Sequence, residues 1–150
     1  MLAIKISETE IKQFMAILIK GDKFDSFETR GAEINSFTKV TFSCILDKDY
    51  FTNEVGSYAA WGVIKPYVFN IIKGNKRPKS LKIVFAVKNP SLIHENAKAL
   101  FLNVAFDNNI VLCTTAAAQI NFTMDKSIDM LWESYIKEFF SQLQITYTVL

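Results

Sequence analysis

An internal repeat is the sequence feature that most constrains the fold of this chain. Residues 11–23 (IKQFMAILIKGDK) return as residues 64–76 (IKPYVFNIIKGNK). The identical pairs are Ile11/Ile64, Lys12/Lys65, Ile19/Ile72, Lys20/Lys73, Gly21/Gly74 and Lys23/Lys76. A recurring segment of this kind is typical of one supersecondary unit used twice around a shared core. In both copies a glycine follows the helix pattern, so Gly21 and Gly74 are predicted to be left-handed C-terminal caps.

The length and composition of the chain fit one domain. The 150 residues are 50% hydrophobic, which is enough to bury a core without disulfides or metals. We expect a single domain over residues 1–150, with pseudo-repeats at about 1–50 and 55–124 and a C-terminal helix at about 127–144. No long apolar run stands at the start or elsewhere, so we expect a cytoplasmic protein with no membrane partner.

Helices are predicted from capping signals and apolar spacing. Ser7 and Glu10 form a capping-box pattern before the first helix, and Ser57 is expected to open the second. Pro66 should kink the second helix or mark its true first turn. Ser127 is expected to cap the last helix. Its apolar stripe consists of Ile128, Leu131, Trp132, Tyr135, Ile136, Phe139, Phe140 and Leu143.

Strands are predicted from apolar alternation and turn residues. Residues 2–6, 80–88, 119–124 and 145–150 have strand character, and two hairpins are expected around Asn35-Ser36 and Asp107-Asn108-Asn109. Hairpins dominate over alternating strand–helix–strand units. The fold class is therefore predicted to be α+β, with a mostly antiparallel sheet built from two strand–helix–strand repeats and a long amphipathic C-terminal helix packed on it.

Charge is distributed unevenly along the chain. Residues 55–94 contain no Asp or Glu and seven Lys or Arg, although the whole chain has a net charge of only +2. A field of one sign attracts polyanions or acidic protein surfaces. An equally simple explanation is a solvated face whose lysines discourage strand pairing. The candidate binding residues combine this segment with the matching lysines of the first repeat: Lys12, Lys20, Lys65, Lys73, Lys76, Arg77 and Lys79.

The chain contains no recognisable catalytic, metal-binding or cofactor-binding motif. His94 is the single histidine, and Glu95 is its only ionisable neighbour, so we assign no catalytic residue. Asp47 and Asp49 could meet a divalent cation, but such a pair is common in acidic loops, and no metal site is assigned. Cys44 and Cys113 are isolated from each other, which favours two small buried residues over a disulfide. We therefore expect no cofactor and no enzymatic activity.

Three segments carry a resemblance to known proteins. IIKGNKRPKSLKIVF, LFLNVAFDNNIVLCTT and FTMDKSID resemble a small family of uncharacterised proteins from Gram-positive bacteria, and that family supplies no activity or site residues. The repeat itself is distantly similar to a domain of a DNA sliding clamp. The clamp resemblance implies helix lysines facing nucleic acid, and a single domain of this kind would need to form a homo-oligomer to encircle DNA.

Two functional hypotheses follow. The first is a non-enzymatic, clamp-like binding module whose basic surface contacts nucleic acid or an acidic protein without reading base sequence. The alternative is a small-molecule carrier with an apolar pocket between the C-terminal helix and the sheet.

Overall fold

The fold is α+β, with one antiparallel sheet and three helices. A computed structural model describes residues 1–73 and 77–150. The helices are α1 (Ile11–Ile19), α2 (Trp61–Ile72) and α3 (Ser127–Gln142). The strands are β1 (Ala3–Ile6), β2 (Glu28–Asn35), β3 (Lys39–Phe42), β4 (Ser80–Ala86), β5 (Ala97–Asp107), β6 (Ile110–Gln119) and β7 (Tyr147–Val149).

The strands form a seven-stranded sheet in the order β3-β2-β4-β5-β6-β1-β7. Every neighbouring pair is antiparallel. The β5–β6 hairpin turns at Asn108 and Asn109, whose φ angles of 50° and 60° match the positive φ that a two-residue type I′ turn requires. The predicted α+β class, antiparallel sheet and C-terminal helix are confirmed. The clamp-like relation between two repeats remains a prediction.

All three helices contribute to one core with a single face of the sheet. Apolar residues alternate along β4 and β5, and their inward side chains meet Phe14 of α1, Trp61 of α2 and Ile136 of α3, all fully buried. Aromatic rings connect the layers. Phe24 lies 5.9 Å from Phe14 and 5.4 Å from the β4 residue Phe85, measured between ring centroids. The three helices therefore form a layer on the same side of the sheet.

Several predicted helix boundaries and caps are wrong. The Ser7–Glu10 capping box does not form, because Ser7 makes no side-chain cap and the Glu10 carboxylate accepts a hydrogen bond from the Thr146 amide instead. The second helix begins at Trp61 and not at Ser57, since Tyr58 and Ala60 form bridges with Ile45 and Glu28. Pro66 lies inside this helix and not in its first turn.

The predicted glycine caps differ from the structure as well. Gly21 has no positive φ, but a Cβ atom there would lie 2.7 Å from the Ile17 carbonyl oxygen. The helix therefore needs glycine at this position for space and not for a left-handed conformation. Gly74 lies outside the described residues.

Two predictions near the C-terminal helix also fail. Ser127 is the first residue of α3 and makes no side-chain cap to it. Residues 120–124 do not form a strand, although β6 continues to Gln119. On the α3 stripe, Ile128, Trp132, Ile136 and Phe140 are buried, whereas Leu131 and Tyr135 are 45% and 48% exposed. The buried stripe is therefore narrower than the sequence predicts.

Candidate functional site

An apolar groove of about 480 Å³ lies between α1 and the C-terminal half of α2. It lies at the end of the sheet where β4 begins and β5 finishes, and Ser80 of β4 pairs there with Asp107 of β5. Its lining residues are Ile11, Lys12, Met15, Ala16, Ile19, Lys20, Phe69, Ile72, Arg77, Pro78 and Phe106. The volume falls within the range of about 300–1,000 Å³ that small-molecule sites occupy.

One wall of the groove is formed by the wide apolar face of α1. Phe14 and Leu18 are fully buried in the core, while Ile11, Met15 and Ile19 follow one another at a spacing of four residues and line the groove. Residues four apart lie above one another on a helix surface. The ridge that they form is therefore continuous along α1. Ile11 and Ile19 are also buried in the core, so the ridge borders the groove and the core together.

Hydrogen bonds fix the two helices at the end of α1. The indole Nε1 of Trp61 donates to the Leu18 carbonyl at 2.8 Å. The Lys65 ammonium donates to the Gly21 carbonyl at 2.6 Å and to the Asp25 carboxylate at 2.7 Å. These contacts hold the first half of α2 against the end of α1, so the groove wall formed by Phe69 and Ile72 is positioned by the fold.

Three cations stand among the residues that line this groove. The Lys20 Nζ atom lies 6.0 Å from the centroid of the Phe69 ring, and the Arg77 guanidinium carbon lies 5.0 Å from the centroid of Phe106. Lys12 is exposed on the lining side of α1. The described lining residues include no Asp or Glu. Within residues 1–73 and 77–150, none of these three cations forms an ion pair.

The structure brings together only part of the basic set predicted from sequence. Lys12, Lys20 and Arg77 share the groove, and Lys73 and Lys79 are exposed on either side of the undescribed stretch. Lys65 differs from them, because its ammonium is bonded to Asp25 and Gly21 and its side chain is only 15% exposed. Lys76 lies outside the described residues.

His94 belongs to a structural network at the start of α3. The Asn96 amide donates to His94 Nδ1 at 3.0 Å, so the neutral ring carries its proton on Nε2. Nε2 lies 3.4 Å from Ser127 Oγ, and the Ser127 hydroxyl donates to the Asp125 carboxylate at 2.8 Å. The Ser127 hydrogen bond holds the pKa of the exposed Asp125 carboxyl below its ordinary value. A ring in this tautomer cannot accept the serine proton, so the group does not form an activated nucleophile.

The acidic pair Asp47 and Asp49 also has a local structural role. The Asp47 side chain accepts a hydrogen bond from the Asp49 amide at 3.0 Å, which caps a short 3₁₀ turn at Lys48–Tyr50. No cluster of three or more His, Cys, Asp or Glu in residues 1–73 and 77–150 is arranged to hold a metal ion.

The groove was not predicted from sequence, which placed an apolar pocket at a different position. The expected position was between the last helix and the sheet, where Trp132, Ile136 and Phe140 fill the space with fully buried side chains. The available signal was the spacing of Ile11, Met15 and Ile19, which widens the apolar face that Phe14 and Leu18 form on the same helix. That ridge predicts an additional contact of α1, although not what it contacts.

Comparison with known proteins identifies the family and no activity. No helix among the described residues is long and apolar enough to cross a membrane. No curated protein and no solved structure matches the chain. The model of a family of unknown function, DUF5721, matches residues 16–148, which include most of the groove and the whole sheet apart from β1 and the end of β7. The chain therefore belongs to the DUF5721 family of unknown function.

Proposed function

We propose that this protein is a non-enzymatic binding module, and that the basic surface around the groove binds anionic ligands. The observation that carries the proposal is the set of Lys12, Lys20 and Arg77 at an apolar groove whose described lining contains no acidic residue. Two of the three cations rest on aromatic rings of the groove wall. A cation held over a ring without a carboxylate partner remains available to an incoming anion.

The first ligand class is a polyanion, including nucleic acid or an acidic protein surface. Lys73 and Lys79 are exposed and extend the positive charge beyond the groove. Lysine and arginine side chains on such a surface contact the phosphates of a nucleic acid, and these contacts do not distinguish one base from another. Binding should therefore be independent of sequence, and it should weaken as salt rises because neutralised phosphates release their counterions.

Fluorescence anisotropy with labelled single-stranded DNA, double-stranded DNA and RNA tests this proposal. Titrations at low and moderate salt should give weaker binding at the higher salt. The variant Lys12→Glu/Lys20→Glu/Arg77→Glu should lose the binding. The control Lys48→Glu/Lys98→Glu/Lys126→Glu changes the net charge equally at exposed lysines that do not line the groove. No binding at low salt, or equal loss in both triple variants, would contradict the proposal.

The clamp-like arrangement is a further part of the proposal. In each half of the chain a helix is followed by an antiparallel pair of strands, β2–β3 after α1 and β4–β5 after α2. β2 and β4 are antiparallel neighbours. A local two-fold axis that relates the two halves of the chain would place these equivalent strands side by side in opposite directions. The matched lysines support it less, since Lys65 is ion-paired while Lys12 is not. Encirclement of DNA requires a homo-oligomer, so a monomer at micromolar concentration by light scattering would contradict this role.

The small-molecule carrier remains the second candidate function, with its site moved from α3 to the α1–α2 groove. The volume and the apolar lining of that groove favour it specifically.

A further inference from the structure

We propose that the groove binds a single-chain amphiphile, with the alkyl chain along α1 and an anionic carboxylate at the cations. This inference rests on the proposed function, because it assumes that the cations at the groove meet an anion. It adds that the apolar lining meets a chain attached to that anion.

The shape of the lining fits one extended chain. The groove residues of α1 run from Ile11 to Lys20, which corresponds to about 12–14 Å of helix at a rise of about 1.5 Å per residue. The opposite wall is short, with Phe69 and Ile72 from α2, and Phe106 and Pro78 come from the sheet end. The α1 wall is therefore long enough for an extended chain, and the short opposite wall covers part of it.

The charge arrangement selects an anionic head group over a neutral or cationic one. The charged residues in the described part of the lining are all basic, so a carboxylate gains favourable interactions and a cation is repelled. Arg77 can also hold a carboxylate through two parallel N–H groups. Polyanions need only the charges, whereas an amphiphile also uses the apolar surface between them. The two ligand classes therefore differ in their dependence on chain length.

Isothermal titration with octanoate, decanoate and dodecanoate, each below the concentration at which it aggregates, tests the inference. Burial of one methylene is worth about 0.8 kcal/mol, equivalent to about fourfold in affinity. Part of this gain is offset by the ordering of the chain. We therefore expect at least about tenfold tighter binding of dodecanoate than of octanoate. Equal affinity across the series would overturn the inference.

Two variants on α1 test whether the chain occupies this groove. Ala16 is exposed and lines the groove, so Ala16→Trp should fill it and weaken dodecanoate binding by at least about tenfold. Gln13 is exposed on the same helix and does not line the groove, so Gln13→Trp should leave the affinity unchanged. If both variants weaken dodecanoate binding equally, or if neither variant weakens it, the inference is wrong.

The head group is tested by comparing dodecanoate with the neutral dodecanol. The native protein should bind the carboxylate more tightly than the alcohol, and Lys20→Gln/Arg77→Gln should remove that preference. An acidic amphipathic helical peptide tests the competing possibility that the groove docks a protein. If this peptide binds, Ala16→Trp weakens its binding, and no amphiphile binds, then the groove is a protein-docking site and the inference is wrong. If nucleic acid binds and amphiphiles do not, only this inference fails. If neither binds, the proposed function fails as well.

Discussion

Lys65 shows how one residue holds a loop and a helix together. Its ammonium contacts the Gly21 carbonyl and the Asp25 carboxylate, and its side chain is largely covered. Gly62 on the same helix approaches Asp25 closely, since a Cβ atom there would lie 3.3 Å from that side chain. The segment after α1 is therefore fixed against α2 by charge and by close packing. The repeat aligns Lys65 with Lys12, but the partners of Lys65 lie in the other half of the chain and cannot be deduced from the repeat.

Substitution of Lys65 should affect stability, unlike substitution of its repeat partner. Lys65→Met removes hydrogen bonds from a charged donor, each worth about 1.5–3 kcal/mol when it is protected from water. Because Asp25 is partly exposed and regains water, we expect a loss of about 1–3 kcal/mol in the free energy of unfolding. Lys12→Met should change it by less than about 0.5 kcal/mol. Urea unfolding followed by circular dichroism measures both, and equal effects would contradict the assignment.

Gly21 should be required for space at the end of α1. Gly21→Ala places a Cβ atom against the Ile17 carbonyl oxygen, a backbone atom that cannot move aside cheaply. We expect a loss of about 1–3 kcal/mol in the free energy of unfolding, as for other overpacked sites.

The matched control for this change is Gly56→Ala. A Cβ atom at Gly56 meets nothing within 4 Å, and the residue has no positive φ. This variant should be neutral or stabilised by about 0.4–1 kcal/mol, because alanine reduces the freedom of the unfolded chain. Equal destabilisation at the two positions in urea unfolding would show that close contact with Ile17 is not the cause.

At the scale of elements, the best predicted ones are those whose signal is local. The alternation of Leu81, Ile83 and Phe85 predicts β4, and two asparagines that accept positive φ predict the β5–β6 turn. Residues 120–124 alternate in the same manner, but Ile120, Phe122 and Met124 are all exposed. The side-chain oxygens of Asn96 and Gln119 accept hydrogen bonds from the Asn121 and Thr123 amides and hold this segment as a loop. Alternation indicates strand character, whereas a strand also needs a neighbour to pair with.

The apolar stripe of α3 should divide into residues that stabilise the fold and residues that do not. Trp132 is 1% exposed, and its Nε1 donates to the Phe101 carbonyl at 2.9 Å. Trp132→Ala should therefore cost about 3–5 kcal/mol. Tyr135 stacks on the Trp132 ring at 5.4 Å but is half exposed, so Tyr135→Ala should cost less than about 1.5 kcal/mol. Denaturant unfolding measures both, and a larger loss at Tyr135 than at Trp132 would contradict the observed orientation of the helix.

At the scale of the whole molecule, the groove and the core are produced by the same packing. The inward sides of α1, α2 and α3 build one core with the sheet, and the margin of the apolar face of α1 borders the groove beside α2. The sequence predicts that both helices are amphipathic. It cannot predict the groove, because that space depends on how two helices far apart in the chain are placed by Trp61, Leu18 and Lys65.

The reaction rates of the two cysteine thiols should measure the accessibility of the core and of the region outside it separately. Cys113 of β6 lies in the core opposite Val104 and Ile4, and burial raises the pKa of its thiol above the ordinary value. Cys44 follows β3, outside that core, and burial raises its pKa to about 11. Only the thiolate attacks a disulfide reagent. Native Cys44 should therefore react slowly at pH 7 and about tenfold faster for each unit of pH up to its pKa.

Cys113 should react only when the molecule unfolds as a whole, because sheet neighbours and helices cover it together. Its rate then follows the population of the unfolded state, and Trp132→Ala at a cost of about 3 kcal/mol should accelerate it by about a hundredfold. Reaction with Ellman's reagent in Cys44→Ser protein isolates this thiol, and the same reaction in Cys113→Ala protein isolates Cys44. The Cys113 rate should rise steeply in dilute urea, whereas Cys44 lies outside the core and reacts without global unfolding, so its rate should respond weakly. Rapid labelling of Cys113 that is insensitive to Trp132→Ala would mean that β6 opens on its own, and that the core is not one cooperative unit.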